Sequence, residues 1–258
     1  MVTKEDVVNL LKEFNIKSGD IVTMHCSLKA IGEIENGADG LIDAIKDYLC
    51  DGIFLVPTHT WANVTEENPF YDVSTTEPCI GVLPKIAAKR KDSVRSLHPT
   101  HSVAAFGKGA REFVAGGETS TSPAPVTSPL SRLYENNGKI LLIGVGQERN
   151  TYIHAVDEML DIPKRLSDKP FDITIKDENG KLYKVSGFKP HSRDWSCCFP
   201  NFDEAFSYNG VVSFSKLGNA TVCCCDAKKL TEVLKKIWSR TDHDVCEKIE
   251  IIPKEYYI

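Results

Sequence analysis

The sequence has no apolar run near the ~20 residues that a membrane-spanning helix requires. Its opening, MVTKEDVVNLLKEF, has none of the anatomy of a secretory leader and reads as an amphipathic helix capped by Thr3. A soluble, cytoplasmic protein without a membrane partner is therefore expected. There is no CxxC knuckle. The nine cysteines, at 26, 50, 79, 197, 198, 223, 224, 225 and 246, are odd in number and irregular in spacing. That argues against both a zinc ribbon and a secreted disulfide framework. ATVCCCD reads instead as a buried strand in a reducing compartment, with cysteine acting as a small hydrophobe. No basic stripe appears beyond KRKDSVR at 89–95, and the net charge is −5, so no nucleic-acid partner is expected. G-x-S-x-G is absent, which argues against a hydrolase of the nucleophile-elbow type. GVGQERN follows a strand but lacks the third glycine and the acidic partner of a dinucleotide site.

What is present suits an α/β protein. The 258 residues fit one domain with insertions, read here as spanning 1–258. IVTMH, then GADGLIDAIKDYLC, then GIFLVP reads as strand, amphipathic helix and buried strand, a parallel βαβ crossover. Residues 62–79 read as a polar loop, CIGVLPKIAAKRK as a helix with Pro84 in its first turn, and SVAAF as a short strand. GGETSTSPAPVTSPL reads as a long surface loop of the kind that lies over a binding site. KILLIGVG is a third apolar strand, and NTYIHAVDEML a helix directly after it. FDITIKDENGKLYKVSGF is an antiparallel hairpin turning at Asn179-Gly180. FSKLGNATVCCCDAKKLTEVLKKIW reads as a strand followed by a helix capped by Asp226. The fold class is α/β: a central mixed, largely parallel sheet flanked by helices, with an antiparallel hairpin region toward the C-terminus.

The segment NTYIHAVDEML carries the most chemistry. At helical spacing His154 shares a face with Asp157, with Thr151 one turn before it and Glu158 also close. A carboxylate beside an imidazole raises its basicity and fixes its tautomer, so the pair can take a proton from an amine or hydroxyl. Spacing alone does not separate this from a helix-surface ion pair. The position after a buried strand adds weight, because α/β proteins bind ligands at the carboxyl ends of their strands. HPTHSVAAFG places His98 and His101 at H-x-x-H spacing, but the intervening proline and the want of a further ligand argue against a metal.

The segments MHCSLKAIG, LVPTHTW, FYDVSTTEPCIGVLP, VRSLHPTHSVAAFG, TSPLSRLYENNGKILLIGVG and NTYIHAVDE, in this order over roughly residues 20–165, resemble the aminoglycoside 3-N-acetyltransferase family (the antibiotic N-acetyltransferases, including YokD-like members). The C-terminal third is similar more loosely, mainly through KLGNA at 216–220. The resemblance implies an acyltransferase with acetyl-CoA as co-substrate and no metal. Its implied acceptor is the 3-amino group of a 2-deoxystreptamine aminoglycoside, a cationic small molecule, and the implied context is antibiotic resistance. It implies His154 as general base with Asp157 or Glu158 as partner. The tetrahedral oxyanion of such a transfer needs donors, for which the backbone amides near Ser102 and the Thr151 hydroxyl are the candidates. By the same resemblance Ser27, Lys29, Ser102 and Val103 would meet CoA, with Arg95 near its phosphates. For a cationic acceptor, acidic residues in loops are the expected contacts, here Asp72 and Asp203. The family pattern Asn-Thr-x-x-His-x-x-Glu is met by Asn150, Thr151 and His154, with Asp157 in place of Glu. Cys26 stands where the family more often has Ser, and no histidine stands near Gly117. The short 62–72 loop favours another amine as acceptor, and Asp157 a CoA-binding member with little activity on aminoglycosides. Self-association is left open.

Overall fold

A computed structural model describes residues 1–258. The elements, in chain order, are α1 (Lys4–Glu13), β1 (Ile21–Cys26), α2 (Leu28–Ile31), α3 (Gly37–Tyr48), β2 (Ile53–Pro57), β3 (Phe70–Asp72), α4 (Val82–Lys89), β4 (Val94–Arg95), β5 (Val103–Phe106) and α5 (Ala110–Phe113). They continue with α6 (Arg132–Glu135), β6 (Lys139–Ile143), α7 (Tyr152–Met159), β7 (Phe171–Lys176), β8 (Leu182–Phe188), α8 (Asp203–Tyr208), β9 (Val212–Leu217), β10 (Ala220–Asp226) and α9 (Ala227–Arg240).

A seven-stranded mixed sheet runs in the order β4-β5-β2-β1-β6-β10-β9. Its parallel part is the middle: β1 pairs with β2 and with β6 in parallel, and every outer pairing is antiparallel. The expected β1–α3–β2 crossover is present. The hairpin β7–β8 forms a second sheet, and β3 joins it in parallel, so the 62–79 segment read as loop contributes one short strand. The segment read as one strand before the last helix is two, β9 and β10, turning at Gly218-Asn219.

Strand alternation explains the layers. Val22, Met24, Phe54, Val56, Leu141, Ile143 and Cys224 face one way, against Val7, Leu10 and Leu11 of α1 and Leu41, Ile42 and Ile45 of α3. Ile53, Leu55, Ile140, Leu142, Cys223 and Cys225 face the other way, against Ile153 and Val156 of α7 and Leu230, Leu234 and Ile237 of α9. The CCC run is thus a buried strand whose thiols alternate between the two cores, and all nine cysteines are free. No helix is long and apolar enough to cross a membrane.

Two local features set up the far end of the sheet. Gly144, just past β6, has φ +66°, and a Cβ there would stand 2.4 Å from the Cβ of Ala30, so only glycine lets the chain leave the strand beside α2. The chain then enters α7 through Asn150, whose Oδ1 accepts from the amide of Tyr152 at 3.2 Å and whose Nδ2 donates to Gln147 Oε1 at 2.8 Å. Thr151, at the N-cap position, makes no capping bond. The Tyr152 hydroxyl meets Ala227 O at 3.2 Å and Thr231 Oγ1 at 2.6 Å, pinning α7 to α9.

Candidate active site

A cleft of about 1310 Å³ opens where the parallel strands end. His25, Cys26 and Ser27 reach it from the end of β1, Pro57 and His59 from β2, and Val145 and Asn150 from beyond β6. This is the crevice that open α/β sheets reserve for ligands. Trp61, Ile80, Val82 and Leu83 give it an apolar wall, and His191, Arg193, Asp194 and Trp195 line it from the segment after β8. Four carboxylate residues reach it, Glu66, Glu67, Glu148 and Asp194, together with four cations, Lys29, Arg149, Lys169 and Arg193.

Six of the seven histidines form one chain of rings along this cleft. His25 meets His59 at 6.5 Å between centroids, His59 meets His101 at 4.6 Å, and His101 meets His191 at 5.3 Å. His191 stacks on His154 at 4.1 Å, and His98 lies 5.9 Å behind His101. Burial holds His25, His98 and His191 down to about 4, and it holds His59, His101 and His154 well below the ordinary 6.5. The cleft floor is therefore an array of neutral imidazoles at neutral pH. No group of three or more His, Cys, Asp or Glu is arranged to hold a metal ion.

His154 projects from the first turns of α7 into the cleft. Its Nδ1 is buried without a hydrogen-bond partner, which leaves Nε2 as the nitrogen that reaches the cleft. Neither expected carboxylate is bonded to it. Asp157, 1% exposed, accepts from Arg165 Nε at 2.9 Å through Oδ2, while its Oδ1 is buried and unpaired. Burial pushes the Asp157 carboxyl up to about 7 against the pull of Arg165. Glu158 turns away from His154: it accepts from the amide of Ala124 at 2.7 Å and from the Ser122 hydroxyl. Its place on the same helical face is real, but the loop at 122–124 supplies closer donors. Arg165 also binds Asp244 in a fork, at 2.7 and 3.0 Å, and lies over the rings of Trp195 and Trp238.

The other expected residues divide. Thr151, Ser27 and Lys29 line the cleft. Ser27 Oγ also accepts from the amide of Ala30 at 3.2 Å, capping the short α2. Arg95, Ser102 and Val103 lie behind the cleft wall rather than on it. Arg95 donates to the carbonyls of Val73, Thr76 and Thr58, at 3.0, 2.7 and 3.2 Å, so its guanidinium serves internal carbonyls instead of a phosphate. Ser102 is fully buried and donates to Thr58 O at 2.7 Å; Val103 is fully buried in β5 opposite Pro57. Asp72 is paired with Lys176 at 3.1 Å and with the amide of Ser74 at 2.9 Å, away from the cleft, and Asp203 opens α8 outside it. The carboxylates on the cleft are instead Glu66, Glu67, Glu148 and Asp194. Single residues in loops carry no spacing signal that would have marked these, nor His191. His25 and His59 did carry one, since each sits at or just beyond a strand's carboxyl end.

Fold and cleft together define an α/β protein with a ligand crevice at the carboxyl ends of its parallel strands and a histidine-bearing helix beside it. The chain belongs to the aminoglycoside 3-N-acetyltransferase family: the family's model matches residues 23–239. Aminoglycoside N(3)-acetyltransferase VII of Streptomyces paromomycinus is 28% identical over 229 residues, covering 81% of this chain and 79% of the relative. The crystal structure of the aminoglycoside acetyltransferase AAC(3)-IVa apoenzyme superposes with a TM-score of 0.73 at 25% identity, over 90% of this chain and 86% of that one. AAC-IIIb in a binary complex with CoASH shares the fold with a TM-score of 0.74 at 22% identity, over 89% of this chain and 93% of that one.

Two outcomes follow from these contacts. Replacing Arg165 by Ala strands the buried Asp157 carboxyl and half-buried Asp244 without their cation, and the expected loss is about 3–5 kcal/mol of unfolding free energy. Adding Asp157→Ala recovers part of that loss in urea denaturation; equal stability of Arg165→Ala and the wild type would contradict the pairing. The neutral histidines set an acid limit. Their folded values lie below 6.5, so the unfolded chain binds protons first, and stability is full above pH 6.5 and falls toward pH 4. Inside that window each of His25, His98 and His191 makes stability rise with pH, because burial holds its folded value below that of the unfolded chain. Asp157, held up near 7, works in the opposite direction but is one group against several. A urea midpoint that drops steeply between pH 6.5 and 4.5 is expected; a flat one would contradict a neutral array.

Proposed function

We propose that this protein transfers the acetyl group of acetyl-CoA to the 3-amino group of a 2-deoxystreptamine aminoglycoside, with His154 as general base. The observation that carries the reading is the placement of His154. Its Nε2 faces the cleft, its Nδ1 is buried, and burial keeps the ring neutral and able to accept a proton. An ammonium cannot attack a thioester, so the acceptor must reach the site as a free amine or lose its proton there. His154 takes the amine proton as the N–C bond to the acetyl carbon forms and returns it to the CoA sulfur as the C–S bond breaks. Thr151, on the cleft and without a capping bond, is the side chain available to donate to the developing oxyanion.

Asp157 is the proposed partner of Nδ1. The two atoms that lack hydrogen bonds, Nδ1 of His154 and Oδ1 of Asp157, belong to residues one helical turn apart on α7. Each unmade bond costs about 1–3 kcal/mol when buried, so a bond between the two atoms would relieve both. Lys29 is the proposed phosphate contact for CoA, with Ser27 beside it, and the acceptor's amines would meet Glu66, Glu67, Glu148 and Asp194.

Mass spectrometry of products after incubation with acetyl-CoA and a panel of 2-deoxystreptamine drugs tests the proposal. One added acetyl on a drug is expected, with a loss of at least about a hundredfold in rate for His154→Ala. Product formed at the wild-type rate by His154→Ala would remove the base assignment. No product from any drug, with acetyl-CoA still raising the melting temperature, would overturn the choice of acceptor.

A further inference from the structure

The ring of His154 is fixed by two aromatic contacts and by no hydrogen bond at its buried nitrogen. His191 lies nearly parallel to it, with centroids 4.1 Å apart and planes 27° apart, and Phe199 meets it edge-on at 4.8 Å. Neighbours that grip only the face and edge of an imidazole set its tilt and leave its nitrogens free.

His191 is itself firmly placed. It pairs with Leu166 in an antiparallel bridge, and the amide of Ser167 donates to Pro190 O at 2.8 Å. The amide of Ser192 donates to Arg165 O at 3.0 Å, and its hydroxyl donates to Lys164 O at 2.5 Å. Trp195 Nε1 donates to that same hydroxyl at 3.1 Å, and its indole lies between the guanidinium groups of Arg165 and Arg193, at 4.1 and 3.9 Å. Segment 164–167 thus holds His191 against His154 and, through Arg165, holds Asp157 one turn along α7. A single clamp seats His154, through His191, and Asp157, through Arg165.

We infer that His191 is a positioning residue: its ring, stacked on His154, holds the imidazole with Nε2 directed into the cleft and shields the opposite face from water. The inference rests on the reading of His154 as base. Stacking also suits the proton transfer. A neutral ring beside the imidazolium that forms is favourable, whereas two imidazoliums would repel, and burial keeps His191 neutral down to about 4. A flat ring without nitrogens therefore suffices for the role.

The test compares His154→Ala, His191→Ala and His191→Phe in steady-state kinetics, with the His154 Cε1–H proton resonance, identified by its loss in His154→Ala, as a readout independent of turnover. In His191→Ala the expected result is a kcat lower by about ten- to a hundredfold, as for a misplaced catalytic group. KM for acetyl-CoA and for the acceptor should stay unchanged, and the His154 resonance should move downfield as the ring current is lost. His191→Phe recovers most of kcat and keeps the resonance upfield. If His191→Ala does not fold, His191→Leu fills the volume without a flat face and is expected to behave as the alanine variant does. An unmoved resonance, an unchanged kcat, a change confined to KM, or no recovery with Phe would each overturn the role. An inactive His154→Ala beside a fully active His191→Ala defeats this inference alone. A fully active His154→Ala defeats the base assignment beneath it.

Discussion

A carboxylate with 1% of its surface exposed must find a cation or lose its charge, and Asp157 finds Arg165. That contact organises the cleft. Arg165 is in turn fixed by Asp244, from beyond α9, and by the indoles of Trp195 and Trp238. Through it the segment at 164–167, the loop at 190–195 and the helix α7 become one packed unit. His154 rides on that helix and His191 on that loop, so their stacking depends on an ion pair that touches neither ring. A site held in this way tolerates little repacking, because breaking the ion pair leaves a buried carboxyl without a partner rather than a flexible surface side chain.

The second constraint is desolvation. Five histidines line the cleft and a sixth stands behind them, mostly out of water, and each avoids charge for that reason. Desolvation leaves these imidazoles neutral and free to accept a proton, and the same desolvation makes each a weaker base than a solvated one. It also limits the molecule, because the same burial ties stability to pH above the acid range. The mixture of four carboxylates and four cations on the cleft suits a pair of ligands of opposite charge, a polyanionic acetyl donor and a cationic acceptor.

Much of the architecture was legible in the sequence. The β1–α3–β2 crossover follows from a β-branched strand, an amphipathic helix and a wholly apolar strand in succession, and the CCC run followed from the burial habits of cysteine. The split of the last strand into β9 and β10 was hidden because Gly218-Asn219 sits inside an otherwise continuous run. At the site, spacing placed His154, Asp157 and Glu158 on one face of a helix, which is where they are. Spacing could not say that Arg165, eight residues on from Asp157 and past a turn, would claim Asp157, nor that the loop at 122–124 would claim Glu158. Arg95, Ser102 and Val103 came from the family resemblance and sit behind the cleft wall, because contacts across the sheet, not local pattern, decide which side of a strand end faces a ligand.

Base catalysis by His154 depends on which of its nitrogens carries the proton. A base acting through Nε2 must be protonated at Nδ1, where Asp157 is the available partner. Long-range nitrogen–proton correlation spectroscopy of the imidazole at pH 7, with His154 assigned through His154→Ala, reads this directly. The expected tautomer is protonated at Nδ1, with a bare Nε2 facing the cleft. A proton resting on Nε2 would leave no nitrogen on the cleft to accept another from the acceptor amine, and would rule out His154 as the base.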